Sequence, residues 1–252
     1  MTKLPPTDEL VAFILRHVQD VPHRAGVEIP TENVPDFRML YGLTQRVRRL
    51  ARAYMKLRKA GFGSEGQILV RSALEHAVTA QWAYLTVGGI ARLSRSYVES
   101  ESTLVRQMMR YSDDPAWQEW LDDTTTAASD GPALPKFSGR GGIMEQLDSS
   151  MFLQATYKVL SQVGHVTHEA AVTFFEADEN KLHLRDNPRN VVDHEVLYAL
   201  AGVCMLSAWV LARLERNGVE IAKLTELGLK LHLPWRLDDE LPAANRRFDP
   251  TD

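Results

Sequence analysis

Residues 68–87 read ILVRSALEHAVTAQWAYLTV, and this stretch decides the fold class. It is apolar on nearly every side when drawn as a helix, and a helix of that kind lies inside a protein. Arg71, Glu75 and His76 interrupt it near its middle. Because charge is costly to bury unless it is paired and hydrogen-bonded, these residues predict either a structural network or a functional centre in the core.

The composition indicates an ordinary globular chain of 252 residues, 44% hydrophobic and 25% charged. The net charge of −4 gives the chain as a whole no attraction to nucleic acid or acidic membranes. A single cysteine, Cys204, excludes an internal disulfide framework and a cysteine-rich zinc site. No signal peptide or membrane span is evident, so we expect a cytoplasmic protein that does not contact a membrane.

Helical periodicity extends along the chain, whereas strand signals are almost absent. The sequence therefore predicts an all-α fold, a single bundle of about six to eight helices with one long irregular loop. The expected helices cover residues 7–19, 35–60, 68–87, 90–111, 115–121, 151–176, 193–216 and 220–231.

We expect residues 1–252 to form one domain. Its bundle core covers residues 33–216 and contains an irregular insertion at 124–142, because Gly, Pro, Ser and Thr dominate there. Residues 217–252 form a short helix and a tail that docks at Trp235 and frays beyond Pro242.

Two local patterns give sharper predictions. Ser64 and Gln67 have the spacing of a capping box, which would open the central helix. In the following helix, the apolar spacing predicts four core residues: Leu93, Tyr97, Leu104 and Met108.

The helix expected at 151–176 carries a polar stripe with steps of four, four and three residues. The stripe consists of Tyr157, Ser161, His165 and His168. Arg71 supplies only donors and a Glu75 carboxylate only acceptors, while hydroxyls and imidazoles can do either. We therefore expect this stripe to face Arg71 and Glu75. A buried network that fixes helix register and a functional pocket both remain open.

A metal centre is a competing interpretation. His165, His168 and Glu169 would have to join Glu75 and His76 between two helices. Adjacent residues such as Glu75 and His76 point about 100° apart, so they converge poorly on one ion. We expect no metal and no cofactor.

Two further groups have structural explanations. Asp193, His194 and Glu195 lie at an expected helix N-terminus, where acidic residues are favoured. The glycine-rich residues 139–142 lack the preceding strand of a nucleotide-binding loop, which favours a flexible linker.

One helix is strongly basic. Its cations are Arg46, Arg48, Arg49, Arg52, Lys56, Arg58 and Lys59, with no acidic residue among them. Such a helix is either a solvated face or a local patch for a phosphate backbone. On the second interpretation, the candidate substrate-binding residues are Arg48, Arg49, Arg52, Tyr157 and His168.

Two motifs resemble a known family. The segments Arg71-Ser-Ala-Leu-Glu75 and Tyr157-Lys-Val-Leu-Ser161-Gln-Val-Gly-His165 look like the bacterial family called domain of unknown function 5677. The resemblance covers roughly residues 35–176. That family is similar in helical layout to the HEPN group (higher eukaryotes and prokaryotes nucleotide-binding), in which Arg-x(4–6)-His marks ribonucleases of toxin and defence systems.

The resemblance implies a HEPN-like, RNA-directed protein that works without metal, usually as a homodimer. Arg71 would stabilise the charge on phosphorus and His76 would transfer a proton. Glu75, Ser161 and His165 complete the candidate catalytic set. The alternative is a non-catalytic helical adaptor that meets a partner protein, and a metal-dependent bundle enzyme is less favoured. Whether the chain is an enzyme stays open.

Overall fold

The computed structural model describes residues 4–19, 34–126, 132–148, 151–164, 171–178, 181–186, 188, 192–237 and 241–247. Within these ranges the chain forms nine α-helices and one small antiparallel sheet, which confirms the all-α fold class. The helices are α1 (Thr7–Gln19), α2 (Val34–Lys59), α3 (Gln67–Leu85), α4 (Gly89–Met108), α5 (Ala116–Thr126), α6 (Ile143–Leu147), α7 (Phe152–Gly164), α8 (Asp193–Leu214) and α9 (Gly218–Leu231). The strands are β1 (Phe175–Asp178) and β2 (Lys181–Leu184).

The centre of the bundle is formed by α3 and α8. Helix α3 packs against α2, α4, α6, α7 and α8, and α8 packs in turn against α1, α2, α3 and α9. Both helices are apolar on most sides, so several neighbours are needed to remove that surface from water. The prediction that the stretch around residues 68–87 lies inside the fold is confirmed for most of its residues.

Helix α8 is long and apolar enough, by length and composition, to cross a membrane. However, 72% of its most apolar window is buried inside the bundle. The fold therefore uses α8 as a core helix. The apolar composition that makes a membrane span also makes a helix that is covered by protein on most sides.

The outer helices bury one face each. In α2, Leu40, Leu43, Val47, Leu50 and Tyr54 follow one another at steps of three and four and are all buried. The apolar spacing of the sequence predicts this stripe together with Phe37 and Leu57, which are half-buried. The opposite side of α2 faces solvent.

The helix expected over residues 151–176 is confirmed over α7 and is wrong at its C-terminal end. Residues 171 and 172 are again helical, but residues 175–178 pair with β2 in the register Phe175 to Leu184. One face of this hairpin carries Phe175 and Leu184, and the strands are exposed along their whole length. Aromatic residues suit a strand as well as a helix, so a short apolar run does not decide between them.

The capping box expected at Ser64 is also wrong. Helix α3 starts at Gln67 after Gly66, with no side-chain cap. The amide of Gln67 donates instead to the carbonyl of Ser64, at 3.1 Å, so a backbone turn occupies the groups that the cap would use.

The irregular insertion is shorter and better packed than expected. Helix α5 extends to Thr126, and the short helix α6 was not predicted. Residues 139–142 form an ordered turn rather than a linker, since Gln146 Nε2 donates to the carbonyl of Gly141 at 2.8 Å. Leu134 N likewise donates to Ser96 Oγ on α4, at 2.8 Å.

The tail docks further along than expected. The backbone carbonyl of Trp235 accepts a hydrogen bond from the Gln81 side chain, which confirms that the tail docks at Trp235. Beyond Pro242, however, the amide of Val87 donates to the carbonyl of Asn245, at 2.9 Å, and that of Arg247 donates to the carbonyl of Leu85, at 2.7 Å. The tail thus pairs with the end of α3, because the backbone groups there have no helical partners.

Candidate functional site

Arg71 ties the central helix to α7. Its Nη2 donates to the hydroxyl of Tyr157, at 2.8 Å, and its Nε donates to Oε1 of Glu75, at 3.3 Å. The guanidinium also lies 4.7 Å from the centroid of the Tyr157 ring, within cation–π range. The prediction that the polar stripe of α7 reaches Arg71 or Glu75 is confirmed by this hydrogen bond.

The other members of that stripe contribute less. Ser161 Oγ donates to the carbonyl of Tyr157, at 2.6 Å, so its hydroxyl proton is used within its own helix. His165 and His168, like Glu169, lie outside the described residues. The sequence also missed Phe137, whose ring packs against that of Tyr157 with 5.4 Å between centroids. Nothing in the sequence near Phe137 signals this contact, since it comes from the irregular insertion.

His76 has a defined hydrogen bond. Its Nδ1 lies 2.6 Å from the backbone carbonyl of Ser72. A carbonyl only accepts, so Nδ1 carries the hydrogen and, in the neutral ring, the lone pair is on Nε2. His76 is half-buried. This is the tautomer that a general base acting through Nε2 requires.

These residues lie on the broad part of the α3 surface that is only partly covered by the bundle. We call this part the α3 polar strip, and its members are all half-buried: Arg71, Ser72, Glu75, His76 and Thr79. The side chains of Arg71 and Glu75 retain 23% and 37% exposure. The sequence left open whether this cluster is sealed or reaches solvent, and the structure shows that it reaches solvent. Because both side chains reach water, removing either leaves no fully buried charge, and we expect each removal to cost about 1 kcal/mol of stability.

The basic helix carries six of its eight cations on one exposed side. We call it the α2 cationic face, and its members are all exposed: Arg38, Arg46, Arg49, Arg52, Lys56 and Lys59. Arg38 was not among the predicted cations, although its spacing of eleven residues from Arg49 places it on the same side of the helix. Throughout the described ranges, no side chain forms a hydrogen bond or ion pair with these six cations.

Two of the predicted cations have structural partners instead. Arg48 is 9% exposed, and its Nε donates to the carbonyl of His17 at 2.9 Å, so the placement of Arg48 on a substrate-facing surface is wrong. It supplies donors to the C-terminal end of α1, where helical carbonyls lack partners. Arg58 donates two hydrogen bonds, of 2.8 and 2.7 Å, to the carboxylate of Asp193.

The α2 cationic face and the α3 polar strip lie at similar levels along the axes of their two helices. Helices α2 and α3 are joined by a short turn, and a Cβ on Gly66 would lie 2.9 Å from the ring of Tyr54. From this contact, Arg49 lies five residues back along α2, and Arg71 lies five residues forward along α3. Because both helices rise about 1.5 Å per residue, we expect the two arginines to lie at about the same level along the helix axes.

Asp193, His194 and Glu195 lie in the first turn of α8, as predicted. Asp193 holds Arg58, and His194 Nδ1 lies 2.8 Å from the hydroxyl of Thr7 on α1. These contacts join the ends of three helices and explain the residues structurally. In the part of the chain that the structure describes, no three metal-ligating side chains come together.

Comparison of the chain with protein-family models, with curated proteins and with solved structures finds no match. The family resemblance therefore rests on the residues that carry it, above all Arg71, Glu75, Tyr157 and Ser161.

Proposed function

We propose that the protein binds RNA through the α2 cationic face. The observation that carries this proposal is a row of six exposed cations on one helix, without side-chain partners among the described residues. From Arg38 to Lys59 the row spans about 32 Å at 1.5 Å per residue. Although the chain as a whole is acidic, these cations form a local positive patch that a phosphate backbone could contact.

Salt dependence tests this proposal. If all six cations contact phosphates of a single-stranded RNA, the slope of log K against log salt is about −4, which means a loss of roughly 300-fold between 50 and 200 mM salt. The slope is measured by fluorescence anisotropy with labelled RNA, and a duplex DNA of equal length serves as the comparison ligand.

A triple variant locates the contact. Replacing Arg49, Arg52 and Lys56 with glutamine lowers the magnitude of the slope by about 2. The control triple variant replaces three exposed cations elsewhere, Arg106, Arg110 and Lys223, and so changes the net charge equally. Equal weakening by both variants would show that binding follows net charge and would refute a site on α2.

A second function is favoured by the hydrogen bond between His76 and Ser72. With Nδ1 held by the carbonyl, Nε2 of His76 would accept the proton of an RNA 2′-hydroxyl. The 2′-oxygen then bonds to the adjacent phosphorus, the bond to the 5′-oxygen breaks, and the proton passes to that oxygen. The products are a 2′,3′-cyclic phosphate and a 5′-hydroxyl. Arg71 would stabilise the negative charge on phosphorus.

This reaction is proposed for a homodimer. Arg71 and His76 point about 140° apart on one helix, so they do not meet at one phosphate within a single chain. Two copies that face each other through the α3 polar strip would bring an Arg71 and a His76 together. Two further candidates, Glu75 and Tyr157, position the Arg71 guanidinium through hydrogen bonds.

Cleavage is tested with mixed RNA in the presence of EDTA, with detection of cyclic phosphate ends. We expect His76→Ala to abolish cleavage while RNA binding by the α2 cationic face persists. His183→Ala, a change at an exposed histidine on β2, is the matched control. Equal cleavage by wild type and His76→Ala would remove the role given to His76. A complete lack of cleavage in wild type would favour the adaptor function.

A further inference from the structure

Helix α4 keeps an apolar face after it leaves the bundle. Ile90 and Leu93 are buried against the core. Tyr97, Leu104 and Met108 continue the same face, at steps of four, seven and four, but they are exposed. The sequence predicts Leu93, Tyr97, Leu104 and Met108 for the core. For the last three this is wrong, because they lie beyond the part of α4 that packs against the core among the described residues.

The exposure on this face is large. Leu104 is 52% exposed, and Tyr111, in the turn after α4, is 87% exposed. Helix α5 does not cover these side chains, although α4 is its main packing partner among the described elements. Val105 and Ser102, on another side of α4, are buried instead. We call residues 97–126 the α4–α5 lobe.

The lobe is also strongly acidic. It contains seven acidic and two basic residues, so its net charge of −5 exceeds that of the whole chain. Glu101 lies within the apolar face, between Tyr97 and Leu104, and is exposed. Its carboxylate has no ion pair with any residue that the structure describes.

We propose that the α4–α5 lobe docks a basic amphipathic helix of a partner protein. Apolar residues of that helix would cover Tyr97, Leu104 and Met108, in the manner of a helix laid against an apolar stripe. A lysine or arginine would lie opposite Glu101, and further cations would face the acidic residues of α5.

Charge also decides against other occupants. A second copy docked through the same face would bring two lobes of net charge −5 together and place each Glu101 against an apolar or acidic surface. A nucleic acid would meet the same repulsion. A cationic helix satisfies both the apolar stripe and the carboxylates.

The test uses a synthetic three-heptad peptide with leucine at positions a and d and lysine elsewhere. Its affinity for the full chain is measured by isothermal titration. We expect Leu104→Ser/Met108→Ser to weaken binding at least tenfold, and Glu101→Lys to weaken it several-fold without removing apolar surface. Because these three residues are exposed, the variants are expected to fold as wild type does.

The control variant is Val219→Ser/Leu229→Ser, which removes two similarly exposed apolar residues from α9. It should bind the peptide as wild type does, and a peptide with glutamate in place of lysine should not bind. Loss of affinity in the control variant, or binding of the glutamate peptide, would overturn the proposal. A dimer in sedimentation that Leu104→Ser/Met108→Ser dissociates would also overturn it, in favour of a second copy. RNA binding by α2 is independent of each result.

Discussion

His17 makes the stability of this protein depend on pH in a defined window. His17 is half-buried near the end of α1, with its Nε2 buried, and Arg48 reaches the carbonyls of His17 and Val18 there. Burial, with a smaller contribution from the charge of Arg48, lowers the pKa of His17 from 6.5 to about 4. Among the residues that the structure describes, its Nε2 finds no hydrogen-bond partner that would stabilise the charged form.

The sign and size of the effect follow from this shift. Above pH 6.5 the imidazole is neutral in both the folded and the unfolded chain, and His17 does not affect the free energy of unfolding. As pH falls below 6.5 the unfolded chain takes up the proton first, so stability is lost. The loss is about 1 kcal/mol at pH 5.5 and about 3 kcal/mol at pH 4, where the folded chain also begins to protonate.

The perturbation is His17→Leu, which keeps an apolar group of similar size and removes the titration. Urea unfolding followed by tryptophan fluorescence, between pH 7.5 and 4, gives the free energy at each pH. Other groups titrate in this range, so the informative quantity is the difference in slope between variant and wild type. His183→Leu, at an exposed histidine, should follow wild type. If His17→Leu loses stability as steeply as wild type does, the reasoning about burial is refuted.

Three further predictions concern stability and reactivity. Gly89→Ala should destabilise the protein by about 1–3 kcal/mol, because the added Cβ would lie 2.7 Å from a backbone oxygen. Gly42→Ala should stabilise the protein by about 0.5–1 kcal/mol, because a Cβ there meets open space and alanine favours the helix. The urea midpoint of each variant checks these two changes. Tyr157→Phe removes the acceptor for Arg71 and should cost about 1 kcal/mol in thermal or urea unfolding, and an unchanged midpoint would show that the bond is not maintained in solution. Burial raises the pKa of the Cys204 thiol, so a disulfide reagent should modify it only in denaturant, and rapid labelling of the native protein would contradict its burial.

The sequence by itself determined the fold class and the central helices. Residues 67–85 and 193–214 are apolar on most sides, and such helices can only be stable when neighbours surround them. The contact between Tyr157 and Arg71 was also predictable. Each residue lies in a mainly apolar segment and carries hydrogen-bonding groups that require a partner there.

The sequence could not determine which part of each helix face is covered by the other helices. The apolar face of α4 has one spacing from Ile90 to Met108, but only its first part has core beneath it. In the same way, Arg48 and Arg49 are neighbours on a basic helix, and one is buried by the end of α1 while the other is exposed. Local spacing specifies which residues share a face, but the positions of the other helices decide whether that face is covered.

The degree of burial at the candidate site also depended on tertiary structure. The composition around Arg71, Glu75 and His76 indicated a polar cluster in a core helix, but not whether it reaches solvent, and the structure leaves it half-buried. An apolar stretch indicates that a helix is mostly covered by protein, but not which side stays open. For α3, the packing of α2, α7 and α8 decides which side has no partner.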